Sequence, residues 1–123
     1  MQNETEVLMI LVAGPFRSGT NDDPVLIHRN VEAMNQMALK VYQKGHLPVL
    51  GEWFALPLIE TAGSTAMGDE IWDSMFHPVA IRMISKCDVI LRIGGPSKGS
   101  DEMVRIGKEK GKRIIYSLDE LDQ

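Results

Sequence analysis

The sequence has one cysteine, few aromatic residues, no excess of basic residues and no long apolar run. Cys87 has no second cysteine with which to form an internal disulfide, which is typical of a reducing compartment. A net charge of −4 leaves no basic stripe, so we expect no nucleic-acid partner. No stretch approaches the roughly 18 to 20 apolar residues that a membrane-spanning helix requires, so we expect no membrane partner.

The composition and the amino terminus favour a single cytoplasmic domain. Residues 1–6 include Glu4 and Glu6, whereas a secretory signal begins with basic residues. The chain of 123 residues is 44% hydrophobic and 24% charged, which suits one domain over residues 1–123 with a core of its own. We therefore predict a cytoplasmic location and no secretory signal.

Short apolar runs alternate along the chain with helical patterns. The apolar runs predict strands at residues 7–13, 46–50, 88–93 and 113–117. Helices are predicted from Pro24, behind the cap Asp23, to a stop at Gly45, then between residues 69 and 86, and over 103–110. This alternation predicts a three-layer α/β fold with an open parallel sheet of four or five strands. We expect the order 2-1-3-4, as in flavodoxin-like and Rossmann-like folds.

Three local features leave alternatives open. Residues 51–68 have no clear period, so the segment is either a short helix or a packed loop, with a mobile stretch of small residues at 62–68. Pro78 either kinks the helix over 69–86 or starts a second helix at His77. Ser117 is expected to cap a short final turn at 118–121.

Two loops of small residues follow the first and third predicted strands, at residues 14–20 and 94–101. With the order 2-1-3-4 both emerge at the switch point of the sheet, where a ligand can lie between them. Free N–H groups at a helix start attract anions, and Arg17 adds a forked guanidinium. We predict a phosphate or carboxylate site formed by Gly14, Pro15, Phe16, Arg17, Ser18, Gly19, Ser97, Gly99 and Ser100.

These loops also have simpler interpretations. Arg17 is then a solvated arginine, and the second loop is a Gly-Pro turn with Ser100 or Asp101 as a helix cap. Neither loop fits the P-loop pattern or the dinucleotide pattern of glycines. Three histidines and one cysteine show no zinc-ligand spacing, so no metal and no other cofactor is predicted.

Several of these motifs resemble the nucleoside 2-deoxyribosyltransferase-like superfamily, and its small, largely uncharacterised branch is the closest match. The likeness runs in order along nearly the whole chain and is carried by Val12-Ala13-Gly14-Pro15-Phe16, Lys86-Cys87-Asp88 and Ser97-Lys98-Gly99-Ser100. It implies that Arg17, Ser18 and Ser97 hold the 5′-phosphate of a nucleotide. It also implies homo-oligomers in which neighbouring subunits complete each pocket.

The same resemblance places apolar residues at the catalytic positions. The nucleophilic glutamate of the family aligns with Met103, the tyrosine of the first strand with Leu11, and an aspartate with Ala80. A thioether and a methyl group can neither attack an anomeric carbon nor donate a proton. We therefore predict a protein that binds a nucleotide or another phosphorylated ribosyl ligand between the two loops.

Two other functions stay open. An active N-glycosidase or deoxyribosyltransferase would use Glu102, with Asp73, His77 or Asp101 as an acid, although one residue on a helix is about 100° of rotation away from Met103. The third possibility is a structural interaction module without a ligand.

Four of the seven aromatic residues fall in the segment that is predicted to overhang the strand ends. They either stack on a base or ribose, or close the core or a subunit interface. These residues are Trp53, Phe54, Trp72 and Phe76.

Overall fold

The fold alternates strands and helices along residues 6–122, the part of the chain that this computed structural model describes. The elements are β1 (Met9–Ala13), α1 (Pro24–Gln43), β2 (Leu47–Val49), α2 (Gly51–Thr61), α3 (Glu70–Ile84), β3 (Val89–Arg92), α4 (Lys98–Glu109), β4 (Arg113–Ile115) and a closing 3-10 helix (Leu118–Asp122). The acidic start of the chain, on which the prediction about a secretory signal rests, lies largely outside the described residues.

The four strands form one parallel sheet in the order β2-β1-β3-β4. In the inner pair, Leu11 lies beside Ile90, and both are fully buried. Continuous apolar runs are needed at β1 and β3 because helices cover both faces of the sheet. The predicted α/β class, parallel pairing and strand order are confirmed, and the described residues contain four strands with no fifth.

Helices form the layers on either side of the sheet. On one face α1 packs Met34, Ala38 and Val41 against Ile10 and Val12. On the other face α3 and α4 pack against the inner strands, α4 also packs against β4, and α2 packs on α3. Within residues 6–122, no helix combines the length and the apolar character that crossing a bilayer requires.

The predicted start of α1 is confirmed, and Pro78 does not divide α3. The Asp23 side chain accepts a hydrogen bond from the Val25 N–H at 2.9 Å, ahead of Pro24 in the first turn. Helix α3 runs continuously past Pro78. At the end of the chain the Ser117 hydroxyl accepts from the Asp119 N–H, so the predicted cap of the last turn is also confirmed.

The structure corrects one helix boundary and resolves one open choice. Helix α4 begins at Lys98, so the prediction that it begins at residue 103 is wrong. The cap is Ser97 rather than Ser100 or Asp101, because the Ser97 side chain accepts the Ser100 N–H at 3.2 Å. Residues Gly51–Thr61, for which a helix and a packed loop were both open, form α2.

Candidate functional site

A cavity of about 300 Å³ opens where the loops after β1 and β3 meet. Seven of the nine predicted binding residues line it, namely Gly14, Phe16, Arg17, Ser18, Ser97, Gly99 and Ser100. Pro15 and Gly19 lie outside the lining. The remaining walls come mainly from the start of α2 and one side of α3, so four segments distant in sequence enclose one space.

The two loops are in direct contact at Gly94 and Pro15. Gly94 has a φ of 79°, a conformation that glycine adopts without strain. A Cβ atom on Gly94 would lie 2.6 Å from Pro15 Cδ. The Ile93 N–H also donates to the Ala13 carbonyl at 2.9 Å, which extends the pairing of β1 and β3 up to the loops. These contacts fix the spacing of the two loops beside the cavity.

Replacing Gly94 by alanine tests this contact. We expect Gly94→Ala to lower the free energy of unfolding by about 2 kcal/mol, because it adds left-handed strain to an overpacked contact. Gly95→Ala is the matched control, since Gly95 has no positive φ and a Cβ atom added to it would have no neighbour within 4 Å. Urea unfolding of the two variants measures the difference, and equal losses would contradict a close approach at Gly94.

Arg92 fixes the second loop to α4. Its buried guanidinium donates to the Gly95 carbonyl at 2.8 Å, to the Ile93 carbonyl, and to Asp101 Oδ1 at 3.1 Å. Asp101, one of the predicted acids, is therefore bonded to Arg92 in the first turn of α4 and lies outside the cavity lining. Its position indicates a structural contact rather than a chemical role.

The start of α4 presents donors to the cavity. The Ser97 side chain occupies the Ser100 N–H, and the Ser97 carbonyl accepts from the Asp101 N–H at 2.9 Å. No group of residues 6–122 accepts a hydrogen bond from the Lys98 or Gly99 N–H, as expected of the first turn of a helix. The Lys98 side chain is exposed and lies outside the lining.

Arg17 is held on the opposite loop by Asp22. Its Nε and Nη2 donate to the two Asp22 oxygens, each at 2.9 Å, and this pairing lowers the pKa of Asp22. The guanidinium carbon also lies 6.0 Å from the centre of the Trp72 ring. Within the described part of the chain, no acceptor is bonded to Nη1, which leaves that nitrogen available to an anion.

Glu52 is a cavity residue that the sequence predictions missed. It lies in the first turn of α2, lines the cavity, and is only 7% exposed. Burial raises the pKa of its carboxyl to about 7. The sequence signal was its place directly after the second strand, because parallel strands end at one edge of the sheet. Residues 51–68 have no clear period, so the sequence does not determine which way position 52 faces.

The structure separates Glu102 from the cavity. Its Oε1 lies 2.6 Å from His77 Nε2, its side chain is 46% exposed, and it lies outside the lining. The bond from His77 lowers the pKa of Glu102. Asp73 and His77 do line the cavity, as do Met103 and Ala80, while Leu11 is buried in the core. Glu102 therefore lies behind His77.

An aromatic cluster forms one wall of the cavity. Trp72 stacks on Phe76 with ring centres 4.8 Å apart, and Phe16 lies 5.0 Å from Phe76. Trp53 and Phe54, the other two residues singled out in the sequence, are exposed and lie outside the lining. The aromatic wall thus joins the first loop to α3.

Asp69 fixes the segment that leads into α3. Its carboxylate accepts from the N–H groups of Thr65, Ala66 and Trp72 and from the Ser64 hydroxyl, at distances of 2.9 to 3.2 Å. These bonds lower the pKa of Asp69 to about 2, and the bond from the Trp72 N–H has the largest effect. The bonds hold residues 64–66 in place beside Trp72.

The cavity lining combines one arginine, three serines and the aromatic wall. Among residues 6–122, no three His, Cys, Asp or Glu side chains lie close enough together to hold a metal ion. Comparison of the sequence with protein-family models and with curated proteins gives no match.

Proposed function

We propose that the protein binds a nucleoside monophosphate, or another phosphorylated ribosyl ligand, in this cavity. The supporting observation is that two donor-bearing loops converge on one space of about 300 Å³. Arg17 and Ser18 approach it from one loop, and Ser97 and Gly99 from the other. This volume is at the lower end of the range for small-ligand sites, which suits a monophosphate better than a dinucleotide.

The phosphate lies between the start of α4 and Arg17 in this proposal. The N–H group of Gly99, which lines the cavity, and the positive end of the helix favour an anion there. Nη1 of Arg17 adds a charge-assisted donor from the other loop. The aromatic wall, with Phe16 and Trp72, offers flat apolar surface to the rest of the ligand.

Binding is a better account of this cavity than catalysis by Glu102. For Glu102 to act as a nucleophile, its carboxylate would have to leave His77 and turn into the cavity. Met103, which occupies the expected nucleophile position, lines the cavity with a thioether. A structural module without a ligand would not need donors from two loops in one space.

We further propose a cytoplasmic homo-oligomer. The lone Cys87 suits a reducing compartment. The exposed Trp53 and Phe54 lie on α2, whose first turn borders the cavity, so a neighbouring subunit on that surface would lie next to the site. We propose no nucleic-acid or membrane partner, given the net charge of −4.

A ligand panel tests the proposal. We expect nucleoside monophosphates to raise the melting temperature more than the matching nucleosides do, because the phosphate contributes most of the anchoring. Chromatography of the same mixtures detects released base. Stabilisation without base release supports binding, whereas base release that is lost in Glu102→Ala would favour the N-glycosidase. Equal stabilisation by nucleosides and monophosphates would contradict the phosphate site.

The variant Arg17→Ala tests the proposed contact between Arg17 and the phosphate of the ligand. We expect the Kd of a nucleoside monophosphate to rise about tenfold to thirtyfold, because a charge-assisted hydrogen bond is lost. Arg29→Ala is the control, since it removes the same charge from an exposed position of α1 outside the cavity. Titration calorimetry measures the Kd of the monophosphate for both variants. Equal losses in the two variants would indicate a general charge effect instead of a specific contact.

A further inference from the structure

Glu52 is the one carboxyl that the cavity both buries and leaves without a protein partner among residues 6–122. Glu52 is only 7% exposed and lines the cavity. No group in that part of the chain donates a hydrogen bond to this carboxyl, and desolvation alone accounts for its altered acidity. None of its oxygens is fully sealed from solvent, so the carboxyl opens into the cavity. A buried polar group of this kind needs a partner.

Glu52 lies on the far side of the cavity from the proposed phosphate. It follows β2, whereas the Ser97 loop follows β3, and β1 lies between those two strands. Because β2 and β3 are two positions apart in the sheet, Glu52 and the loop after β3 lie about 10 Å apart. That separation is larger than the reach from a 5′-phosphate to its own sugar, and it suits the reach from the phosphate to a base.

The backbone beneath Glu52 is fixed by close packing. A Cβ atom on Gly51 would lie 2.9 Å from Ala80 Cβ, so the start of α2 lies directly against α3. The backbone of Glu52 therefore cannot move away from α3 without separating the two helices. A carboxyl held in this way is positioned in advance for a ligand, which lowers the entropic cost of the contact.

We propose, on the basis of the proposed nucleotide-binding function, that Glu52 recognises the base of the ligand and does so as a neutral carboxylic acid. A carboxylic acid presents a donor and an acceptor side by side. This arrangement complements a base edge on which a ring nitrogen and an amino or imino group are neighbours. The ligand class is thus a purine or pyrimidine monophosphate rather than a sugar phosphate.

The charges around the cavity favour the neutral form. Burial raises the pKa of Glu52 to about 7 in the free protein. A bound phosphate adds negative charge and a bound base removes remaining water, and both changes disfavour the carboxylate further. The charged or titratable groups that share the lining are Arg17, Asp73 and His77. Asp22 offsets the charge of Arg17, and Glu102 is paired with His77.

Base recognition by the neutral acid makes binding depend on pH. Ligand binding then takes up a proton above pH 7, so the affinity falls by up to tenfold for each pH unit above about 7. The phosphate of the ligand titrates near pH 6, and this contribution is the same for every variant of the protein. The contribution of Glu52 is therefore measured by the difference in affinity between wild type and Glu52→Gln at each pH.

The test is titration calorimetry of the four ribonucleoside monophosphates and of ribose 5-phosphate at pH 6.5, 7.5 and 8.5. We expect wild-type affinity for at least one nucleoside monophosphate to fall at least tenfold from pH 6.5 to 8.5 relative to Glu52→Gln. The amide of that variant keeps a donor and an acceptor but does not titrate, so its affinity at pH 6.5 should stay within about threefold of wild type. Glu60→Gln, which makes the same change at an exposed position of α2 outside the cavity, should keep the wild-type dependence on pH.

The outcomes separate this inference from the function on which it rests. Binding of monophosphates with the same pH dependence in wild type and Glu52→Gln overturns the role of Glu52 and leaves the phosphate site standing. An equal effect of Glu52→Gln on ribose 5-phosphate overturns the contact with the base. Failure of every monophosphate to bind the wild-type protein at any pH overturns both. Unfolding curves of the variants establish that each is folded.

Discussion

Glu52→Gln is expected to stabilise the protein by about 3 kcal/mol at pH 9 while changing its stability little at pH 4.5. Burial raises the pKa of Glu52 from 4.5 to about 7 in the folded state. Between those values the folded state binds more protons than the unfolded state. Wild-type stability is therefore lost progressively as the pH rises from about 4.5 to about 7, and a residue that does not titrate avoids that loss.

Urea unfolding at pH 4.5, 7 and 9 measures this effect. The control is Glu60→Gln, which makes the same change at an exposed position of the same helix. All other titrating groups are common to the variants, so their contributions cancel in the difference. A gap between wild type and Glu52→Gln that stays constant over the three pH values would sink the prediction.

A carboxyl that lowers stability near neutral pH is informative about function. An apolar residue at position 52 would avoid the burial of an ionisable group, and the neighbouring Ala55 and Ile59 show that α2 accommodates such residues. Positions that reduce stability are concentrated where a ligand is bound or a reaction occurs. The burial of Glu52 therefore supports the ligand contact independently of the two loops.

The fold could be predicted because its signals are local. The continuous apolar runs of β1 and β3 indicate strands covered on both faces, and Asp23 with Pro24 marks the start of α1. Loops of small residues after those two strands indicate the switch point of the sheet. Each signal lies within a few residues of the feature that it predicts, so no tertiary contact had to be known.

The remaining features depend on contacts between distant residues. The early start of α4 depends on the Ser97 cap and on Arg92, which holds the turn before it. The burial of Glu52 depends on the approach of Gly51 to Ala80, and residues 51–68 have no period that would place α2 on α3. The orientation of Glu102 toward His77 likewise follows only from the packing of α4 beside α3.

Only part of the site could be predicted, because the side chains that enter the cavity also depend on contacts between distant residues. Seven of the nine proposed binding residues line the cavity because they lie on loops whose positions follow from strand order. Pro15 lies at the contact with the second loop, beneath Gly94, and so it shapes the crevice without lining it. Sequence order locates the edge of a sheet, but it does not determine which side chains turn into the space above it.

The two tryptophans should differ sharply when each is replaced by alanine. We expect Trp72→Ala to lower the free energy of unfolding by about 3 to 5 kcal/mol, and Trp53→Ala by less than about 1 kcal/mol when the protein is dilute enough for subunits to be separate. Trp72 is 9% exposed, stacks on Phe76 and packs with Ala55 and Ile59, so its removal leaves a cavity. Trp53 is 44% exposed, and its ring N–H bonds Asn35 at 3.3 Å.

Urea unfolding at two protein concentrations distinguishes a wall residue from an interface residue. For Trp72→Ala the loss should not depend on concentration, because its contacts are made within one chain. At the lower concentration, a loss in Trp53→Ala that approaches that of Trp72→Ala would contradict the exposed position of Trp53 in a single subunit. At the higher concentration the proposed homo-oligomer predicts a larger loss in Trp53→Ala than at the lower one. If that loss also depended on concentration, the outer face of α2 would be buried against a second copy, as the proposed homo-oligomer requires.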